Sequence, residues 1–239
     1  MKKRICCFIL AFILIAICQA GCGKKDNGMK KVVLNEVAHS IFYAPQYVAI
    51  EMGYFKDAGI DLVLETGFGA DKTMTALISG NADIGFMGSE STIYAYAEGS
   101  KDYAVNFAGL TQRAGNFLVA REKIDNFSWD MVKGKNVLGG RKGGMPQMVL
   151  EYILKANNID PASDLSIDQS VDFGLTAGAF SGNTEYDFTV EFEPGATSLE
   201  KEGKGYVVAS LGVDSGYVPY TAYSAKKSYI EKNPEIIKD

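Results

Sequence analysis

The side chains able to do chemistry are few, and they gather in short stretches. His39, the only histidine, stands beside Ser40, with Phe42 and Tyr43 close behind. That mixture suits a flat, partly polar ligand that needs stacking and a few hydrogen bonds. Phe42 and Tyr43 either stack on such a ligand or plug the core. Thr66-Gly67-Phe68-Gly69-Ala70 permits close backbone approach or positive φ, yet lacks the third glycine of a dinucleotide fingerprint. In Gly88-Ser89-Glu90-Ser91-Thr92 the serines cap a helix or meet a ligand. Glu90 is either a ligand carboxylate or a first-turn acid favoured by the helix dipole. Gly139-Gly140-Arg141-Lys142-Gly143-Gly144-Met145-Pro146 is the most phosphate-like stretch. It reads as a binding loop, with Arg141 on the ligand or in solvent, but without the Gly-Lys-Ser/Thr order of a P-loop. Glu191 and Glu193 could pair with a cationic or amino group, or Glu193 could partner a helix N-terminus. Tyr217 is a further candidate, unless it is an ordinary surface tyrosine.

The same inventory excludes most catalysis. All four cysteines (Cys6, Cys7, Cys18 and Cys22) lie at the N-terminus, so the body has no thiol nucleophile, disulfide or cysteine–zinc site. One histidine leaves few nucleophile–base pairs. No metal or cofactor is expected.

The elements that must position these residues alternate strand and helix patterns, which points to α/β architecture. Strands are expected at 31–37, 61–65, 82–87, 103–110 and 117–122, with helices at 45–57, 71–79 and 90–97. A polar stretch at 122–133, holding the lone Trp129, reads as a crossover. A second series follows: strands at 135–140, 164–169, 186–192 and 206–211, and helices at 147–157, 175–180 and 196–202. Residues 219–225 then return to the first series. Each candidate stretch falls after a strand, where open α/β sheets bind ligands. Residues 77–88 and 180–195 echo one another: helix end, Ser-Gly-Asn, strand, loop. The echo favours two similar lobes.

The N-terminus speaks to compartment. Lys2, Lys3 and Arg4 precede an apolar run of 14 residues and then Gln19-Ala20-Gly21-Cys22. The run is short for a membrane span and suits a secretory leader. Small residues before a cysteine resemble a lipoprotein cleavage site, although Gln19 replaces the usual aliphatic residue. The expectation is a leader at 1–21, lipidation of Cys22, and a polar tether at 22–29. An uncleaved anchor helix is the alternative. The formal charge is −5, and the leader holds three cations and no anions, so the body stands at −8. That balance argues against nucleic acid and against a polybasic membrane patch.

Three stretches resemble one family of ABC-importer solute-binding proteins, the alkanesulfonate, nitrate/taurine and thiamine-pyrimidine-precursor binders. They are Tyr47-Val48-Ala49 through Gly53-Tyr54-Phe55-Lys56-Asp57-Ala58-Gly59-Ile60-Asp61-Leu62, then Ser79-Gly80-Asn81-Ala82-Asp83-Ile84-Gly85, then Lys133-Gly134-Lys135-Asn136-Val137-Leu138-Gly139-Gly140, with Glu193-Pro194 matching a common pair. The resemblance implies a type 2 periplasmic-binding-protein fold, with two α/β lobes and a ligand cleft between them. Lobe one would be 30–121 plus 213–239, and lobe two 122–212. Family members usually run longer, and the helical pattern from Tyr229 stops early, so a truncated C-terminus is expected. The implied partners are a small-molecule ligand, an ABC permease with its ATPase, and the membrane through the lipid anchor; the chain would be a monomer. The aromatic first loop and the later acids favour a heteroaromatic, neutral or amino-bearing ligand, such as a pyrimidine vitamin precursor. The alternatives are a pyrimidine-precursor synthase-like enzyme on the same fold, which would be cytoplasmic, and the sensing domain of a receptor, which would need a downstream membrane span.

Overall fold

The computed structural model describes residues 28–172 and 174–239. The expected leader and Cys22 lie outside them, and the expected tether enters them only at Gly28 and Met29. Residues 31–239 form one compact unit. Its strands are β1 (Lys30–Glu36), β2 (Ile60–Thr66), β3 (Ile84–Gly88), β4 (Ala104–Thr111), β5 (Asn116–Ala120), β6 (Asn136–Leu138), β7 (Ser166–Asp168), β8 (Phe188–Phe192), β9 (Tyr206–Ser210) and β10 (Thr221–Lys226). Its helices are α1 (Ala44–Glu51), α2 (Tyr54–Asp57), α3 (Ala70–Ser79), α4 (Glu90–Ala97), α5 (Met145–Ala156), α6 (Thr176–Gly182), α7 (Gly195–Lys201), α8 (Leu211–Asp214), α9 (Lys227–Lys232) and α10 (Pro234–Lys238). Among the described residues, no helix is long and apolar enough to cross a membrane.

Two sheets result, ordered β2-β1-β3-β10-β4 and β7-β6-β8-β5-β9. They share one plan. β1 and β3 pair in parallel, as do β6 and β8. The fourth strand of each, β10 or β5, is antiparallel to both its neighbours. The echo between the halves has a structural cause. Asp83 accepts the Val33 backbone N–H at 2.8 Å, and Asp187 accepts that of Asn136 at 2.9 Å. In each lobe an aspartate just before a central strand thus accepts a backbone N–H of the neighbouring one.

The core follows the residue pattern. In α5, Val149, Leu150, Ile153 and Leu154 repeat at helical spacing and are buried. Each contributes roughly 1.5–3 kcal/mol by leaving water. They pack on Leu118 and Val137 of the second sheet. Leu34, Phe86 and Tyr43 form the matching cluster in the first.

Three expectations need correction. The strand read at 117–122 was assigned to lobe one, but β5 pairs with β8 and β9 of the second sheet. The chain therefore crosses at residues 112–115, between β4 and β5, and not in the polar stretch 122–133. That stretch holds a 3-10 turn (Trp129–Val132) whose Trp129 is buried, donating its ring N–H to Asp214 at 3.0 Å. The single helix read at 45–57 is two, α1 and α2, because Gly53 between them takes φ 81°. The returning segment runs beside the first crossing: Val218 and Tyr220 donate backbone N–H groups to Gln112 and Thr111, and Arg113 reaches the Gly212 carbonyl at 2.8 Å.

Candidate ligand-binding cleft

The strand tips of both sheets converge on one cleft of about 880 Å³. From the first sheet come His39, Ser40 and Tyr43 after β1, Asp71 at the start of α3, and Glu90 and Ser91 at the start of α4. From the second come Arg141 to Pro146 after β6, Thr176 of α6, and Glu191 to Gly195 after β8. Tyr220 and Thr221 enter from the returning segment.

The β1 tip is organised by a carboxylate. Glu36 is fully buried, and four groups satisfy its oxygens: Gln46 Nε2 and the Tyr47 hydroxyl donate to Oε2, while the Thr66 hydroxyl and His39 Nδ1 meet Oε1, all at 2.8–3.1 Å. A ring nitrogen facing a carboxylate carries the proton, so Nδ1 is committed to Glu36. Tyr47 also packs on the imidazole at 4.4 Å. Ser40 accepts the Phe42 N–H at 3.3 Å and caps the following 3-10 turn, Ile41–Tyr43.

Two further carboxyls reach the cleft from opposite lobes. Glu90 is buried, and neither oxygen makes a hydrogen bond of proper geometry. The Ser91 hydroxyl and the backbone N–H groups of Glu90 and Met145 lie close enough to oppose the effect, but burial pushes its carboxyl up to about 7. Gly88 makes room for it, since a Cβ there would overlap the Glu90 carboxyl. Glu191, in β8, receives hydroxyls from Thr189 at 2.8 Å and Thr176 at 3.0 Å. Burial outweighs those bonds and also pushes it up to about 7. Glu193 differs: it accepts the N–H and hydroxyl of Thr197 at 3.1 and 2.8 Å, and so caps the start of α7.

The glycine-rich loop after β6 offers little to an anion. The N–H groups of Lys142, Gly143 and Gly144 are taken by the Gln169 carbonyl, the Gln147 side chain and the Arg141 carbonyl. Arg141 bridges the lobes, meeting Asp71 at 3.0 Å and Asp172 at 3.5 Å. Its guanidinium lies over Gly69, where a Cβ would collide with it. The Tyr94 hydroxyl adds a second bridge, to Met148 Sδ at 3.3 Å.

Of the residues singled out by sequence, His39, Ser40, Tyr43, Glu90, Arg141, Gly143, Gly144, Met145, Glu191 and Glu193 line the cleft. Five others stand elsewhere. Phe42 packs into the core against Phe192 and Tyr220, over Gly115. Gly67 is fixed by close packing with Thr73 and Asn35. Phe68 is 63% exposed, and Tyr217, at 77%, lies under Arg113 on the returning segment. Ser89 donates its hydroxyl to the Pro219 carbonyl, away from the cleft. Sequence reasoning missed Asp71 as a bridge, and missed Thr176, Tyr220 and Thr221. Asp71 and Thr176 carried the signal of any polar residue at a helix start; the other two carried none.

A family model described as NMT1/THI5 like matches residues 41–239. The chain belongs to this NMT1/THI5-like family. YtlA of Bacillus subtilis (strain 168), named as a binding protein, is 49% identical over 235 residues, covering 98% of this chain and 69% of YtlA. Two solved structures share the fold. The periplasmic aliphatic sulphonate binding protein SsuA from Escherichia coli gives a TM-score of 0.67 at 18% identity, covering 87% of this chain and 69% of SsuA. The periplasmic nitrate-binding protein NrtA from Synechocystis PCC 6803 gives 0.69 at 18% identity, covering 88% of this chain and 59% of NrtA. The NMT1/THI5-like chain is thus a periplasmic-binding-protein fold of two α/β lobes.

Proposed function

We propose that this chain is the solute-binding component of an ABC importer, held outside the cytoplasmic membrane by a lipid on Cys22. It would capture one small heteroaromatic molecule, such as a pyrimidine vitamin precursor, and deliver it to a permease and its ATPase without chemically changing it. Ligand contacts on both lobes would favour the closed form that the permease recognises. Family membership, the fold shared with sulphonate- and nitrate-binding proteins and the relative named as a binding protein support this reading.

The observation that carries the ligand class is the balance of donors and acceptors. Arg141 is paired with Asp71 through Nη2 and with Asp172 through Nε, which leaves its Nη1 without a partner among the described residues, and the N–H groups of Lys142, Gly143 and Gly144 are occupied. Glu90 and Glu191 stand where an anion binder would need donors. A sulfonate or nitrate offers only acceptors and a negative charge; beyond the single donor at Arg141 Nη1 it would have to displace those contacts. Mass spectrometry of small molecules released from the purified chain tests the reading. The expected result is one heteroaromatic, nitrogen-bearing molecule per chain. Release of a sulfonate or nitrate would reject it.

A further inference from the structure

The inner end of the cleft holds polar atoms that the fold leaves without partners. Both oxygens of Glu90, the Tyr220 hydroxyl and the Thr221 hydroxyl are buried without a well-formed hydrogen bond. Their residues are 3%, 2% and 1% exposed, and all three line the cleft. Tyr43 joins them, its phenol beside Thr221. Leaving such groups unmet costs free energy that native proteins rarely tolerate without a purpose. They come from three separate segments: the start of α4, the 3-10 turn after β1, and the returning strand β10. The cluster is therefore not a by-product of one helix end.

We propose that Glu90 reads an N–C–NH2 edge on the ligand, the edge of an amidine or of an amino group beside a ring nitrogen, with Tyr220 and Thr221 completing the subsite. The chemistry of a carboxyl group selects that edge. An ionised carboxylate presents two acceptors side by side, matching a protonated amidine. A neutral carboxyl presents one donor and one acceptor, matching an uncharged amino-heterocycle. Both protonation states of Glu90 fit the same edge, and burial leaves both accessible near neutral pH. The two hydroxyls can donate or accept, so they follow whichever state is present. A sulfonate is repelled by the ionised state and finds only one carboxyl donor in the neutral one.

This inference rests on the cleft being a small-molecule site, and the test separates the two. Isothermal titration calorimetry compares 4-amino-2,5-dimethylpyrimidine with 2,4,5-trimethylpyrimidine, which replaces the amino group by a methyl. Wild type is expected to prefer the amino compound by about tenfold to a hundredfold. Glu90→Leu, which removes a buried polar group and keeps bulk, should abolish that preference. Glu90→Gln keeps one donor and one acceptor and should retain most of the preference. Equal binding of the two compounds by wild type, or an equal loss of both in Glu90→Leu, would overturn the role of Glu90 while leaving a heteroaromatic binder standing. Binding of neither pyrimidine would overturn both, whether or not taurine binds.

Discussion

Glu90 and Glu191 show how burial sets the character of single residues. Each is an acid on the wall of a cleft, and desolvation pushes each up to about 7 against weaker opposing bonds. In the unfolded chain both would titrate near 4.5, the ordinary value. Between those limits the folded state binds more protons than the unfolded one, so stability falls as pH rises from about 4.5 to about 7. The loss is at most about 3 kcal/mol for each group. Thermal unfolding of the ligand-free protein should therefore show a flatter dependence over this window in Glu90→Gln or Glu191→Gln than in wild type. A wild-type profile already flat from pH 5 to 8 would contradict the burial argument. Glu193 is a useful contrast. It stands just past the end of β8, where it caps α7 through Thr197. Two residues along one chain separate a buried acid from a helix cap; the sequence offered the helix reading for Glu193 alone, and nothing in it marked the burial of Glu191.

At the scale of elements, the repeated aspartates explain why two stretches about 100 residues apart look alike. Asp83 and Asp187 each accept a backbone N–H from a neighbouring strand. Asp83→Ala should cost about 1–3 kcal/mol, the range for orphaning a part-buried backbone donor, and Asp187→Ala less, because water can replace its exposed bond to Asn136; urea denaturation measures both. A larger cost for Asp187→Ala than for Asp83→Ala would contradict this ranking. The strand and helix order was legible because apolar runs, glycine stops and helix caps act locally. α4 was read at its observed bounds, since Glu90 opens it and Gly99 follows its end. The lobe assignment of β5 was not legible. Its residues, Asn-Phe-Leu-Val-Ala, would suit either sheet, and only pairing with β8 and β9 settles the choice. Arg141 was ambiguous for a similar reason, because its partner Asp71 lies 70 residues away.

At the scale of the molecule, the two sheets share one topology, and each lends its strand tips to a common cleft. The loops named from sequence alone supply most of its wall, because ligand sites of open α/β sheets lie past the carboxyl ends of strands. The returning segment was missed as a contributor. Tyr220 and Thr221 sit at the N-terminal end of an antiparallel strand, where that rule does not look. Two bridges, Arg141 to Asp71 and Tyr94 to Met148, hold the lobes across the opening. Both are partly exposed; an exposed ion pair is worth about 0–1 kcal/mol, and a thioether sulfur is a weak acceptor. They can steady a closed form without locking it, as a protein that must release its ligand requires.

Hydrogen exchange of the intact chain, with and without a bound heteroaromatic amine, tests most directly whether the strand tips of both lobes grip one guest. Slowed exchange is predicted together at residues 38–44, 88–91, 140–146 and 191–195, and at the Tyr220–Thr221 segment. Protection confined to the tips of a single sheet, or appearing only on surfaces away from them, would contradict the account.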